Sequence, residues 1–232
     1  MQRIQCLHAK FKLADALRLA TSPRPSPDPQ DIFILTIPKP FIVGIGGTTR
    51  AGSTSELALR ATLAHAEGLG ARTAVLCATE LVMDAYDPMV TTRSASAQRL
   101  VQLLREADGI VIASPSYHGS IPGLLKNALD YTEDMRSDER PYFDGRAVGC
   151  VVCAEGIQAM GTTLFTLRSI VHALRGWPTP YSATINSSTK SFGPDGLLRE
   201  ETVSTQLKTV AQQVVQFAQY SLLAKAMPQP TA

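Results

Sequence analysis

The sequence predicts one α/β domain, a doubly wound five-stranded parallel sheet with helices on both faces. Three observations carry that expectation. From Phe41 onward, five short apolar runs alternate with five longer amphipathic stretches. The runs are short and mostly apolar rather than alternating, the pattern of strands covered on both faces. The 232 residues, 44% hydrophobic and 18% charged, supply one generous core and not two.

The strands are expected at 41–46 (FIVGIG), 72–77 (RTAVLC), 108–113 (DGIVIA), 147–153 (AVGCVVC) and 179–185 (TPYSATI). Helical spacing of apolar residues places helices at 54–68, 94–107, 122–135, 161–175 and 197–224. The domain is therefore bounded at 41–225, with an extension at 1–40 and a short tail at 226–232. Residues 1–20 carry a weak amphipathic pattern with basic residues. They are followed by Pro23, Pro25, Pro27 and Pro29, which remove backbone donors and rule out helix or sheet. The front end reads as an accessory extension; its low serine content weighs against a transit peptide.

A formal charge of +2 from 22 basic and 20 acidic residues excludes a dedicated nucleic-acid or anionic-membrane binder. No apolar run approaches the roughly 18 residues of a membrane span. Cys6, Cys77, Cys150 and Cys153 do not form a disulfide framework, and the expected compartment is the reducing cytoplasm. Cys150 and Cys153 have dithiol spacing. Inside a strand, however, residues three apart point to opposite faces, so the two thiols should not meet.

In such sheets ligands bind beyond the carboxyl ends of the strands, where the winding reverses. The loop after the first strand reads Gly46-Gly47-Thr48-Thr49-Arg50-Ala51-Gly52-Ser53-Thr54-Ser55. It joins glycines for a tight turn, five hydroxyls, an arginine fork and a helix start with open amides. That set suits a phosphate dianion. A dinucleotide fingerprint counted from Gly44 and Gly46 would need glycine at Thr49, and a Walker loop would need a Gly-Lys-Ser/Thr that is absent. A hydroxyl-rich loop here instead matches mononucleotide-binding, flavodoxin-like sheets. The plainer alternative is a polar turn in which Ser53 caps the helix.

The loop after the third strand, Ser114-Pro115-Ser116-Tyr117-His118-Gly119-Ser120, offers planar polar groups and a glycine beside which a flat ligand could lie. His118 reads more simply as a hydrogen-bonding spacer than as an acid or base. No second ligand stands at metal spacing beside it, and no metal site is assigned.

GGTTRAGSTS, SPSYHGSIPGLLKNALDY and the AYDP between them resemble the NAD(P)H-dependent FMN reductase family, flavodoxin-like flavin, quinone and azo-compound reductases. The resemblance covers about residues 41 to 185. It implies that Thr48, Arg50, Ser53 and Ser55, with Thr54 at the helix start, hold the FMN phosphate. It implies that Pro115, Ser116, Tyr117, His118 and Gly119 line the ribityl chain and ring. Lys126, Asn127 and Asp130 match the family pattern, with helix surface or a dimer contact as their plainer reading. The fourth-strand loop, Ala154-Glu155-Gly156-Ile157-Gln158-Ala159-Met160-Gly161, departs from a purely glycine-rich turn, and Gly156 is its expected flavin contact.

The implied activity passes hydride from NADPH or NADH to FMN and on to free flavin, quinone or a similar small acceptor. The cofactor carries such chemistry, so no side chain is assigned as catalytic. The acceptor side should be shaped by residues 83–90. The alternative is a non-enzymatic flavodoxin-type carrier, disfavoured because carriers tend to be strongly acidic. A homodimer or homotetramer is expected from the resemblance and from Leu124, Leu125, Leu129 and Tyr131 beside the third-strand loop.

Overall fold

A computed structural model describes residues 39–227. The expected N-terminal helix, the proline linker and the end of the tail lie outside the described residues. Among the described residues, six strands and five α-helices follow one another: β1 (Phe41–Gly46), α1 (Thr54–Gly68), β2 (Arg72–Leu76), α2 (Ala95–Glu106), β3 (Gly109–Pro115) and α3 (Gly123–Asp130). Then come β4 (Ala147–Ala154), α4 (Ile157–Ala173), β5 (Trp177–Pro178), β6 (Ala183–Asn186) and α5 (Glu201–Ala226). The sheet order is β2-β1-β3-β4-β5, with β6 also on β4, and every pairing is parallel.

Alternation along the strands divides the core in two. Val43, Ile45, Ile110, Ile112, Val148, Cys150 and Val152 pack under α2, α3 and α4. Ile42, Val111, Ala113, Val151, Cys153 and Ile185 pack under α1 and α5. The two cysteines thus occupy opposite faces, as strand geometry requires. Burial pushes both thiols up to about 12. On the second face α5 approaches closely because the sheet carries glycine beneath it. A Cβ added at Gly149 would lie 2.5 Å from Val210 Cγ1.

The fifth strand departs from expectation. It comes as two pieces, β5 and β6, with Thr179–Ser182 looped out between them. On β4 only Gly149 and Cys150 lie between the partners of Pro178 and Ala183. Four residues facing two cannot keep register. Pro178 and Pro180 each lack a donor, which makes this the natural place to break. Arg168 of α4 fills the gap, donating to the Thr179 carbonyl at 2.6 Å and to Ser182 Oγ at 3.0 Å.

Three helices also differ. The fourth begins at Ile157, four residues before the expected 161, because Gly161 is tolerated inside it and Met160 is buried by it. The last begins at Glu201, after Ser191–Arg199 forms a small hairpin. Its Gly193-Pro194-Asp195-Gly196 turn puts Gly196 at φ +75°, outside helical space. The expected 122–135 helix is α3 followed by a 3-10 turn, Tyr131–Met135.

Leu125, Leu129 and Tyr131 are buried in the chain's own core, and Leu124 packs partly against it. They therefore offer no face for a second subunit, contrary to the expectation from sequence.

Two outcomes follow from this packing. Gly149→Ala should destabilise the fold by about 1–3 kcal/mol, the usual cost of overpacking. For a domain of this size that is a fall of roughly 2–12 °C in melting temperature. An unchanged melting temperature would show that α5 shifts freely. Alkylation mapped by mass spectrometry should leave Cys150 and Cys153 unmodified until the protein is unfolded. Rapid native labelling of both would contradict their burial.

Candidate functional site

The chain reverses its winding between β1 and β3. The first connection carries β1 through α1 to β2, and the next crosses β1 through α2 to reach β3. The loops leaving β1 and β3 therefore diverge at their carboxyl ends, where such sheets leave a crevice. A cleft of about 490 Å³ opens there.

Its floor is the loop after β1. This loop must cross the end of β3 with almost no clearance: a Cβ on Gly47 would meet Pro115 Cδ at 2.7 Å, Ser114 Cα at 3.2 Å and the Ala113 carbonyl at 3.3 Å. Only glycine fits. Proline at 115 costs no ladder bond, because β1 stops pairing at Ala113 while β3 continues beside β4 to Cys153. Beyond the crossing, Thr48 Oγ1 accepts the Arg50 amide at 3.1 Å and the Ser53 amide reaches the Arg50 carbonyl at 3.3 Å. Gly52 takes φ +68°, and Ser53 caps α1 by accepting the Glu56 amide at 3.3 Å.

Thr48, Arg50, Ser53, Thr54 and Ser55 all line the cleft. The amides of Thr54 and Ser55, in the first turn of α1, meet no acceptor among the described residues. Arg50 is exposed and has no acidic partner among them. Two open amides, several hydroxyls, a helix start and a free guanidinium fit a phosphate dianion.

Beneath this loop lies a network that the sequence did not reveal. Glu56 is buried, and its carboxylate accepts the Gly52 amide at 3.0 Å, Arg60 Nε at 2.9 Å and the Cys77 thiol at 3.5 Å. Burial raises its pKa, but the Arg60, Gly52 and Cys77 bonds outweigh that and hold it below the ordinary value of 4.5. The Cys77 thiol is pushed up, chiefly by burial and then by Glu56.

Pro115, Ser116 and Tyr117 form a second wall. The Ser116 amide donates to the Cys153 carbonyl at 2.9 Å, and its hydroxyl lies 2.7 Å from buried Thr163 Oγ1. Tyr117 and Ser120 exchange two backbone bonds of 2.9 and 3.1 Å around His118 and Gly119, whose φ values of +55° and +77° make a tight two-residue turn. Those two residues stand at the turn's tip and do not line the cleft. His118 is exposed there.

Gly156 lines the third side as the N-cap of α4, joined by Cys153, Ala154, Glu155, Ala159 and Ser187. Ser187 stands in the 3-10 turn Ser187–Thr189 after β6. It escaped the sequence reading, although a hydroxyl cluster following the last strand was the available signal.

Residues 83–90 do not line the cleft. Asp84 and Tyr86 are tied instead to α3 and the turn after it. Asn127 accepts the Tyr86 amide at 2.8 Å and donates to the Asp84 carbonyl at 2.9 Å, and Tyr131 Oη donates to the same carbonyl at 3.1 Å. Arg93 lies over the Tyr86 and Tyr131 rings and makes a paired contact with Asp134, both bonds 2.8 Å. Lys126 and Asp130 form a surface pair at 2.6 Å.

Residues 40–190 match the family model described as NADPH-dependent FMN reductase. An FMN-dependent NADPH-azoreductase of Staphylococcus saprophyticus is 32% identical over 126 residues, covering 53% of this chain and 63% of its own length. One from Staphylococcus aureus is 29% identical over 136 residues, covering 58% and 69%. The chain thus spans somewhat under two thirds of the first of these relatives. Among solved structures, a flavoenzyme NAD(P)H:acceptor oxidoreductase of Paracoccus denitrificans superposes with a TM-score of 0.64 at 19% identity, over 78% of this chain and 98% of its own. An NADH:FMN oxidoreductase superposes at 0.58 and 20%, over 83% and 92%. These likenesses agree with the flavodoxin-like fold, and the cofactors named in the family's description are the FMN and NADPH expected from the sequence. With the family model matching well over half of the chain, this protein belongs to the NADPH-dependent FMN reductase family.

Proposed function

We propose that the protein is an NAD(P)H-dependent oxidoreductase that holds FMN in the cleft between β1 and β3 and reduces a small planar acceptor, free flavin or quinone. The observation that carries this reading is the juxtaposition at the start of α1: open amides at Thr54 and Ser55, buried hydroxyls at Thr48, Ser53 and Ser55, and unpaired Arg50 on one side of a single cleft. When bound, FMN supplies the hydride chemistry between nicotinamide and acceptor.

The residues of the chain do the rest. The loop after β1 receives the phosphate. Pro115 and Tyr117 offer a flat flank, with Tyr117 54% exposed and so placed to meet a ring rather than to fill the core. On the opposite side Gly156 adds no side chain at a point where a Cβ would stand in open space. His118 and Gly119, at the tip of their turn, stand outside the lining of the cleft. The azo-compound activity in the names of the staphylococcal relatives belongs to the same acceptor class.

We also propose a homodimer or homotetramer. Its support is the family resemblance together with Ile157 and Phe165 on α4, 81% and 78% exposed and eight residues apart on one helix face.

Arg50→Ala should weaken FMN by about 1.5–3 kcal/mol, the range for a hydrogen bond to a charged group, or roughly ten- to hundred-fold. Riboflavin, which lacks the phosphate, should bind both forms equally. Equal losses for the two flavins in a titration, or no loss for either, would remove Arg50 from the phosphate site. Light scattering at micromolar protein should give a multiple of 24.9 kDa, and a monomer mass would remove the oligomer.

A further inference from the structure

Among the described residues, Glu56 is the only carboxylate that is buried, and it lies directly beneath a loop proposed to hold a dianion. On charge alone this is the wrong residue for the place, because an anion under the cradle repels the ligand above it. The bonds it makes suggest another purpose. The tip of the loop, residues 49–52, is exposed, and a Cβ built on Gly52 would stand in open space. Its turn is closed by a long 3.3 Å bond from the Ser53 amide to the Arg50 carbonyl. The firmer hold is the 3.0 Å bond from the Gly52 amide to Glu56 Oε2. The other carboxylate oxygen is steadied by Arg60 Nε at 2.9 Å, an i,i+4 pair that also offsets its charge.

Resting on the phosphate reading above, we infer that Glu56 is a positioning residue for the cradle. It holds Gly52 in its left-handed turn, so that Arg50 on one side and the open amides of Thr54 and Ser55 on the other face the same point. It need not touch the ligand. The carboxylate turns one amide inward and thereby aims its neighbours outward.

The two effects of Glu56 have opposite signs, which makes the inference testable. Removing its charge should tighten FMN, whereas removing its hold on Gly52 should weaken it. Flavin-free, full-length protein would be titrated with FMN and with riboflavin, following flavin fluorescence, for wild type, Glu56→Ala, Glu56→Gln and Arg50→Ala. Glu56→Ala should lose about ten-fold for FMN, the scale of one hydrogen bond to a charged group, with riboflavin changed less than two-fold. Glu56→Gln, whose amide oxygen still accepts from Gly52, should recover most of that loss. Unchanged or tighter FMN binding by Glu56→Ala would overturn the inference, as would equal losses for both flavins. A glutamine variant as weak as the alanine one would overturn it too, by assigning the effect to the Arg60 ion pair. Failure of the phosphate reading looks different: wild type would then not prefer FMN to riboflavin, and Arg50→Ala would not separate them.

Discussion

Burial of β1, β3 and β4 on both faces is the constraint from which the remaining architecture follows. A strand with no solvent face must be apolar along its length, and both of its faces must be covered by helices. That demand produces the two cores, one under α2, α3 and α4 and one under α1 and α5. It also expels polar chemistry to the ends of the strands. Because every pairing is parallel, all the carboxyl ends gather at one edge, and the reversal of winding between β1 and β3 parts their loops there. The cleft occurs where the fold leaves space and where polar side chains are permitted.

The two walls of the cleft are built on different principles. The β3 side is fixed by packing and short bonds: Gly47 lies against Pro115, Ser114 Oγ donates to the Pro115 carbonyl at 2.7 Å, and Ser116 is tied to Thr163. The tip of the loop after β1, residues 49–52, is exposed and relies on hydrogen bonds within the loop and to Glu56. A wall for a rigid ring can be preformed by sterics. A cradle for a small charged group must instead present donors with their acceptors missing, and such a surface cannot be held by the bonds it keeps open.

Short apolar runs made the first four strands legible to within a residue or two, and helical spacing after Ser53 placed α1. The broken fifth strand was not legible, because TPYSATI has strand composition and the break depends on how many residues β4 offers opposite it. The early start of α4 was hidden by reading Gly156 and Gly161 as one loop, although a single glycine within a helix costs only about 1 kcal/mol. At the site, Gly156 and all the expected contacts of the two diagnostic loops except His118 and Gly119 line the cleft. Cys153, Ala154, Glu155, Ala159 and Ser187 line it without having been singled out. Glu56 stood in plain view three residues after Ser53, but a capping-box spacing suggests a bond back to the cap and not one to Gly52. The leucines of α3 erred in the other direction: an apolar helix beside a loop can serve an interface or a core, and only burial distinguishes them.

In the proposed cradle the donors divide their work by depth. Thr48, Ser53 and Ser55 are nearly inaccessible, at 9%, 5% and 2% exposure, so their hydroxyls act in a medium where a hydrogen bond is stronger than in water and where geometry is fixed by surrounding packing. Arg50 is exposed, where its attraction is screened by salt beyond about 10 Å and its strength depends on direct, paired contact with the phosphate. The buried hydroxyls and amides therefore supply selectivity for the shape of a phosphate, while the arginine supplies reach and the compensating charge. The same division explains why Glu56 is tolerated below. Its partner Arg60 neutralises it at 2.8 Å, so what the cradle senses from that carboxylate is the orientation of one amide more than the field of one charge.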